Sequence, residues 1–197
     1  MKIGIDLDEV LAEFVSAFLQ FHNEKYGTKL NKNHFHVYEF EKVLGGTEEN
    51  AADKAYEFFG THHFKNIQPT EGARKAMEKL AKAGHELFVI TSRQSEVVED
   101  TKNWLEANFP KVFKEIHFTS NKYGRTNPNI SKTDACKKIG ISLLIEDNLE
   151  HASSCAAEGI NVLLLDRPWN QGELPKNVKR FSLWEEVLKE IERIGEK

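Results

Sequence analysis

The chain has 197 residues, of which 40% are hydrophobic and 29% charged, and its formal net charge is −4. This composition is ordinary for a globular protein that buries a core, and the small negative charge gives no reason to expect a nucleic-acid or membrane-surface partner. No apolar run reaches membrane-spanning length, and a strand-like run stands at the N-terminus in place of a signal-peptide segment, so we expect a cytoplasmic protein. Cys136 and Cys155 lack metal-ligand spacing and are expected to be reduced core thiols.

Five short apolar runs predict the strands of one sheet. Most are continuous Ile, Leu, Val and Phe stretches, which favours parallel strands covered on both faces. Helical patterns alternate with the last four runs, so we expect right-handed crossovers and a doubly wound, Rossmann-like α/β fold with a five-stranded parallel sheet. We also expect Ser131 to cap a helix, and Ser182 and Glu185 to form the capping box of the last helix. The predicted strands are residues 2–8, 86–91, 115–119, 143–147 and 161–166, and the helices of this part are 72–83, 96–108, 132–139, 150–158 and 183–194.

The first connection, from Ala12 to about Pro69, is far longer than a single helix requires. It contains helical patterns at residues 13–26 and 48–59, separated by an aromatic-rich stretch. We therefore expect a small helical insertion, residues 12–69, folded over the end of the sheet. The core domain would then consist of residues 1–11 and 70–197.

Two acidic residues end the first predicted strand. Because side chains alternate along a strand, Asp6 and Asp8 share the face opposite to Ile3, Ile5 and Leu7. Adjacent carboxylates repel each other unless a cation or a shared proton offsets their charge. Asp is also common in turns and helix caps, which would explain one of the two residues but not the pair.

The other predicted strands end in polar residues as well, and ligands of open parallel sheets bind outside these ends. The second strand ends in Thr91 and Ser92, and the fourth ends in Glu146 and Asp147. Carboxylates suit Mg²⁺, while hydroxyl and ammonium groups suit the oxygens of a transferring phosphoryl group. The ammonium group would come from Lys132, in the first turn of a helix where a cation opposes the helix dipole. Lys122 is the competing candidate.

Together these residues resemble the haloacid dehalogenase superfamily of phosphohydrolases over nearly the whole chain. Its four motifs match Asp6-Leu7-Asp8-Glu9-Val10, Thr91, Lys132 and Glu146-Asp147, in that order. The resemblance implies that Asp6 is the nucleophile that forms an aspartyl-phosphate and that Asp8 is the general acid and base. It also implies a magnesium ion held by Asp6, the backbone carbonyl of Asp8 and an acid of the fourth motif. We favour Asp147 for that position, with Glu146 as its partner or bound through water, and Thr91 and Lys132 would hold the phosphate.

The sequence from Asp8 to Phe14 is similar to the start of the 5'(3')-deoxyribonucleotidases, although that family usually has Gly where Glu9 stands. This resemblance implies that the insertion is a cap that selects substrates, that Phe14 stacks on a nucleobase, and that Ser92 faces the phosphate beside Thr91. Arg93 and Arg125 fit a phosphate or sugar contact and a solvated surface equally well. Further candidates for the pocket, for which cap packing is the favoured interpretation, are Tyr38, Phe40 and Phe64.

The leading hypothesis is a magnesium-dependent phosphomonoesterase for a small phosphate ester, with a (deoxy)nucleoside monophosphate as the favoured substrate. A sugar phosphate or another small ester is the alternative with the same chemistry. A phospho-acceptor module of the receiver type would carry its Asp at the third strand, where this chain has Thr119-Ser120-Asn121. A non-catalytic binding protein is disfavoured because every required residue is present. The sequence leaves the oligomeric state open.

Overall fold

The computed structural model describes residues 1–125 and 128–196, with a parallel sheet at its centre. The strand order is β3-β2-β1-β4-β5-β6, so the chain proceeds from β1 first to one side and then to the other. The gap between β1 and β4 is therefore the topological switch point at which such sheets bind ligands. The strands are β1 (Lys2–Ile5), β2 (Glu86–Thr91), β3 (Glu115–Phe118), β4 (Leu143–Glu146), β5 (Asn161–Leu165) and β6 (Val178–Phe181).

The sixth strand corrects the prediction of five. β6 pairs with β5 alone, at the edge of the sheet. Val178 is buried while Lys179 is exposed, so this short strand alternates instead of forming the continuous apolar run that identified the others. Charged residues are typical of sheet edges because they oppose pairing with other chains.

The helices of the core follow the predicted pattern, with one correction at the last N-terminus. Ser131 caps its helix as predicted, because its Oγ accepts a hydrogen bond from the backbone N–H of Asp134 at 3.0 Å. The predicted capping box of Ser182 and Glu185 is wrong: the carboxylate that accepts from the backbone N–H groups of Ser182 and Leu183, at 2.9 and 3.2 Å, belongs to Glu186. The helices are α1 (Phe14–Tyr26), α2 (Phe40–Leu44), α3 (Glu48–Phe59), α4 (His62–Lys65), α5 (Ala73–Lys82), α6 (Val98–Asn108), α7 (Lys132–Ile139), α8 (Leu149–Ala157) and α9 (Trp184–Gly195).

Two apolar clusters cover the two faces of the sheet. Ile3, Ile5 and Leu7 pack with residues of α5, α6 and α9 on one face, which confirms the prediction that these side chains share a face of β1. Cys136 and Cys155, both free and buried, belong to the cluster of α7 and α8 on the other face. There a Cβ on Gly4 would lie 3.2 Å from side-chain atoms of Ile141 and Leu144. The glycine thus lets the second layer approach β1 closely, just below Asp6.

Residues 12–69, the predicted insertion, contain α1 to α4, and the two ends of this segment lie side by side. Ala12 and Pro69 form an antiparallel bridge, and the backbone N–H of Glu13 donates to the carbonyl of Gln68 at 2.9 Å. Its aromatic side chains pack on one another. No helix within the described ranges is both long and apolar enough to cross a membrane.

A second set of contacts, which we call the clasp, joins the far side of the insertion to the loop after β3. Tyr123 Oη donates to Glu41 Oε2 at 2.6 Å, and Lys122 Nζ lies 2.7 Å from Glu41 Oε1. Arg125 pairs with Asp53 at 2.6 Å. The insertion is therefore attached to the core in two places: at the Ala12–Pro69 bridge, and on its far side at the clasp.

Candidate active site

The carboxyl ends of β1, β2 and β4 open into a cavity of about 630 Å³ between the sheet and the insertion. This is the size of a small-molecule site. Glu146 is 1% exposed and lies behind Lys132. The structure brings the other predicted site residues to the cavity wall, namely Asp6, Asp8, Phe14, Thr91, Ser92, Lys132 and Asp147.

Lys132 joins two of the acids at the floor of the cavity. Its Nζ lies 2.6 Å from Asp6 Oδ1 and 2.9 Å from Glu146 Oε2, and its side chain is 2% exposed. Burial acts to lower the pKa of Lys132, but the two carboxylates outweigh it and raise the pKa well above its usual value. Lys122, the competing candidate, is 44% exposed and paired with Glu41. Of these two lysines, the structure places Lys132 against Asp6.

Three carboxylates converge beside this lysine. Each of Asp6, Glu146 and Asp147 offers an oxygen within 4.8 Å of the others. Burial raises the pKa of Asp6 to about 7, with Lys132 opposing the shift. Burial also raises the pKa of Asp147 well above its usual value, and the neighbouring Glu146 and Asp6 add to the effect. One lysine cannot neutralise three acids, and a cluster of hard oxygen donors fits Mg²⁺.

The structure brings both acids of the fourth motif into this cluster. Strand alternation would direct Glu146 and Asp147 to opposite faces. β4 ends at Glu146, however, so alternation no longer applies to the next residue.

Two residues of the loop after β5 hydrogen-bond to Asp147. The sequence analysis did not predict these contacts. Trp169 Nε1 donates to Asp147 Oδ2 at 2.8 Å, and Asn170 Nδ2 donates to the Asp147 carbonyl at 2.6 Å. Both residues follow the carboxyl end of a strand. Ligands of open parallel sheets bind at the carboxyl ends of the strands, so the position of Trp169 and Asn170 after β5 is the sequence signal that could have identified them.

Arg93 is not a surface residue, contrary to one of the two sequence-based alternatives. Its Nη2 donates to Asp8 Oδ1 at 2.6 Å and its Nε donates to Asp8 Oδ2 at 3.0 Å. Arg125, which the sequence left equally open, contacts the insertion: its guanidinium carbon lies 4.2 Å from the centroid of the Tyr56 ring.

The hydroxyls of Thr91 and Ser92, at the carboxyl end of β2, line the cavity together with Asp6 and Asp8. Thr91 is 1% exposed, and its Oγ1 accepts from the backbone N–H of Arg93 at 3.1 Å. That bond leaves the hydroxyl proton available to an oxygen in the cavity. Ser92 Oγ lies 2.9 Å from Thr119 Oγ1, so the two hydroxyls form a hydrogen bond in which either can be the donor.

Aromatic side chains of the insertion form the opposite wall. Phe14, Tyr38 and Phe40 line the cavity, and Tyr38 is 44% exposed, so it is not the packed core residue that was favoured. Phe64 is buried against Phe58 at a centroid distance of 5.4 Å, which agrees with cap packing. The site thus has an acidic floor and a partly aromatic wall.

Comparison with known proteins assigns this arrangement to a family. The sequence model of the family "5' nucleotidase, deoxy (Pyrimidine), cytosolic type C protein" matches residues 1–194. A protein of Halalkalibacterium halodurans named "Putative nucleotidase" is 29% identical over 191 residues, covering 94% of this chain and 90% of the relative.

Solved structures share the fold. A "predicted phosphatase" from Clostridium acetobutylicum superimposes with a TM-score of 0.69 at 18% identity and covers 98% of both chains. A haloacid dehalogenase-like family hydrolase from Streptococcus pneumoniae gives a TM-score of 0.69 at 15% identity, covering 96% of this chain and 97% of the other. The chain therefore has the fold of haloacid dehalogenase-like hydrolases, belongs to the type C family of 5' nucleotidases and is a phosphoric monoester hydrolase.

Proposed function

We propose that this protein is a magnesium-dependent phosphomonoesterase that hydrolyses a (deoxy)nucleoside monophosphate through an aspartyl-phosphate on Asp6. The observation that carries the proposal is the pairing of Lys132 with Asp6 and Glu146 at the floor of a cavity of small-molecule size. An Asp that is to attack a phosphate dianion needs a nearby cation to offset the charge of both reactants. Lys132 lies beside Asp6, where its positive charge offsets the charge of Asp6 and that of a bound phosphate.

The reaction has two steps. Asp6 attacks phosphorus and forms an aspartyl-phosphate, while Asp8 gives its proton to the departing alcohol oxygen. A water molecule then attacks the same phosphorus, Asp8 takes up its proton, and the bond to Asp6 breaks to release inorganic phosphate. Thr91 and Lys132 hold the phosphoryl oxygens throughout, since donors placed where charge develops stabilise the transition state most.

The residues that would hold Mg²⁺ are Asp6, the backbone carbonyl of Asp8, Asp147 and Glu146. The bound ion would neutralise charge on the phosphoryl oxygens and orient them for in-line attack. Trp169 fixes the rotamer of Asp147 through its 2.8 Å hydrogen bond, so the carboxylate needs little reorganisation to bind a cation.

The aromatic wall supports a nucleobase as the second part of the substrate. Phe14, Tyr38 and Phe40 enter the cavity from the insertion, and stacking of a base on an aromatic ring contributes about 1–3 kcal/mol. We assign residues 12–69 the role of a cap that closes over the phosphate and limits water access during the first step. The core domain of this proposal, residues 1–11 and 70–197, extends to residues 126, 127 and 197, which lie outside the described residues.

Metal dependence is the first prediction. Enzyme treated with EDTA should release no phosphate from a panel of nucleoside monophosphates and sugar phosphates, and millimolar Mg²⁺ should restore release from the nucleotides. Asp147→Asn should raise the Mg²⁺ concentration for half-maximal activity by about tenfold or more, because it removes one charged ligand. Asp100→Asn, a change of an exposed Asp in α6, is the matched control. Full activity in EDTA would contradict the metal assignment, and activity on sugar phosphates alone would contradict the nucleotide assignment.

The second prediction concerns Phe14. Replacing it by Ala should raise KM for a nucleoside monophosphate by about fivefold to a hundredfold, which corresponds to the loss of one stacking contact. KM for glycerol phosphate, which has no base, should change less than twofold. Phe14 also packs edge-on against Phe58 at 5.3 Å, so thermal unfolding must be measured in parallel. Phe113→Ala, at another partly buried Phe outside the cavity wall, controls for lost packing. An equal rise in KM for both esters would show that Phe14 acts through packing and not by stacking on a nucleobase.

A further inference from the structure

Arg93 is a buried guanidinium whose main partner is the carboxylate of Asp8. Its side chain is 2% exposed, while that of Asp8 is 25% exposed. Nε and Nη2 together contact both carboxylate oxygens, at 2.6 to 3.1 Å. Such a two-pronged contact fixes the plane of a carboxylate as well as its position.

Arg93 contributes to the cavity wall, but the rest of its guanidinium is enclosed by other side chains. Nη1 donates to Thr101 Oγ1 at 3.3 Å. Aromatic rings surround it: its central carbon lies 5.9 Å from the centroid of Phe14, 5.3 Å from that of Phe64 and 6.0 Å from that of Trp104. Trp104 is itself held by a 2.8 Å hydrogen bond from its Nε1 to the carbonyl of Ile67. The guanidinium therefore has Asp8 on one side, and Thr101 and three aromatic rings around the rest of it.

This geometry separates two possible uses of the arginine. A guanidinium that bound the substrate phosphate would need free donors directed into the cavity. Two of its five N–H groups make the three contacts with Asp8 and a third donates to Thr101, and the side chain is only 2% exposed, which leaves little of it open to a substrate. A guanidinium that only neutralised charge would not need the planar fork, since Lys supplies the same charge. The fork suits a carboxylate whose orientation matters.

We propose that Arg93 is a positioning residue for proton transfer by Asp8, which it holds with its carboxylate plane directed at the oxygen of the departing alcohol. The proposal rests on the proposed function, because it takes Asp8 as the general acid and base. A misplacement of about 1 Å in such a group costs on the order of a hundredfold in rate. The effect should fall on the step that needs the proton, and much less on binding.

The test compares two leaving groups in four proteins: the parent, Asp8→Asn, Arg93→Gln and the double variant. Alcohol release in the first turnover is measured by rapid quench with a nucleoside monophosphate, whose leaving alcohol needs a proton, and with p-nitrophenyl phosphate, whose leaving group does not. Asp8→Asn should slow nucleoside release by about 10²–10⁴-fold. Arg93→Gln should slow it by about 10–100-fold, and nitrophenol release by less than fivefold, with KM nearly constant. In the Asp8→Asn background, Arg93→Gln should add less than about twofold.

Two further variants keep the test decisive. Arg93→Lys retains the charge but not the fork, so it should show the same leaving-group dependence as Arg93→Gln even if the Gln variant folds poorly. Arg193→Gln, which removes an exposed arginine on α9, should leave both rates as in the parent. Equal slowing of both leaving groups, or losses that multiply in the double variant, would overturn the positioning role while leaving the proposed function intact. No leaving-group dependence in Asp8→Asn would overturn the role of Asp8 itself, and the positioning role with it.

Discussion

Asp6→Asn should abolish turnover without destabilising the protein. Loss of the nucleophile is expected to lower kcat by at least about 10⁴-fold on every phosphate ester, because no aspartyl-phosphate can form. The phosphorylated intermediate, trapped by acid quench of the parent with labelled substrate, should be absent from the variant. Asp100→Asn again serves as the matched control. Undiminished turnover in Asp6→Asn would refute the assignment of the nucleophile.

The stability of the same variant has a defined pH dependence. Burial raises the pKa of Asp6 in the folded protein to about 7, above its usual value of 3.8. Ionised Asp6 therefore disfavours folding, by an amount that is absent below about pH 4 and complete above about pH 7. In EDTA at pH 8, the midpoint of thermal unfolding of Asp6→Asn should be at least as high as that of the parent. Any advantage of the variant should shrink at pH 5. A variant that is less stable than the parent at pH 8 would show that the Lys132 contact outweighs the cost of burial.

Lys132→Met should reduce both activity and stability. Asp6 and Glu146 would lose the cation that lies within 2.9 Å of each, and removing one partner of a buried ion pair costs about 3–5 kcal/mol. The loss should be greatest above pH 7 and smaller at pH 5, because the unpaired carboxylates take up protons as the pH falls. Activity should fall by about 10²–10³-fold, as for removal of one donor to a developing negative charge. Chemical denaturation at both pH values, with phosphate release alongside, measures the two effects.

Lys122→Met is the control that decides between the two lysines considered from the sequence. Its ion pair with Glu41 joins side chains that are 44% and 17% exposed, and such a pair contributes about 1 kcal/mol or less. We expect kcat to remain within about fivefold of the parent. A severe loss of kcat in Lys122→Met together with a mild one in Lys132→Met would reverse the assignment.

Most of the site could be predicted from the residues at the ends of the strands, because the fold brings these ends together. Once a parallel sheet is inferred, residues after its strands must converge, whatever the distance between them in sequence. Asp6 and Lys132 are 126 positions apart and meet at 2.6 Å. The Ser131 cap is a local signal. It correctly predicted the start of α7, and therefore placed Lys132 in the first turn of that helix.

What the sequence did not indicate depends on contacts between distant segments. Aromatic rings from α1, α4 and α6 surround Arg93. No periodic pattern in the sequence indicates that these three rings meet around one side chain. β6 escaped detection because an edge strand needs only one apolar face. The one-residue error in the capping box has a local cause: the N-cap of the last helix is Leu183 and not Ser182, so Glu186 stands at the third helical position in place of Glu185.

The clasp bears on how ligands pass in and out. The insertion enters and leaves the core at the Ala12–Pro69 bridge on one side, so a swing about that junction would have to break the contacts of Tyr123, Lys122 and Arg125 on the other. These contacts are exposed or partly exposed and weakened by dissolved ions. Higher ionic strength should therefore weaken the ion pairs of the clasp, while the buried pairs of Lys132 remain shielded from it.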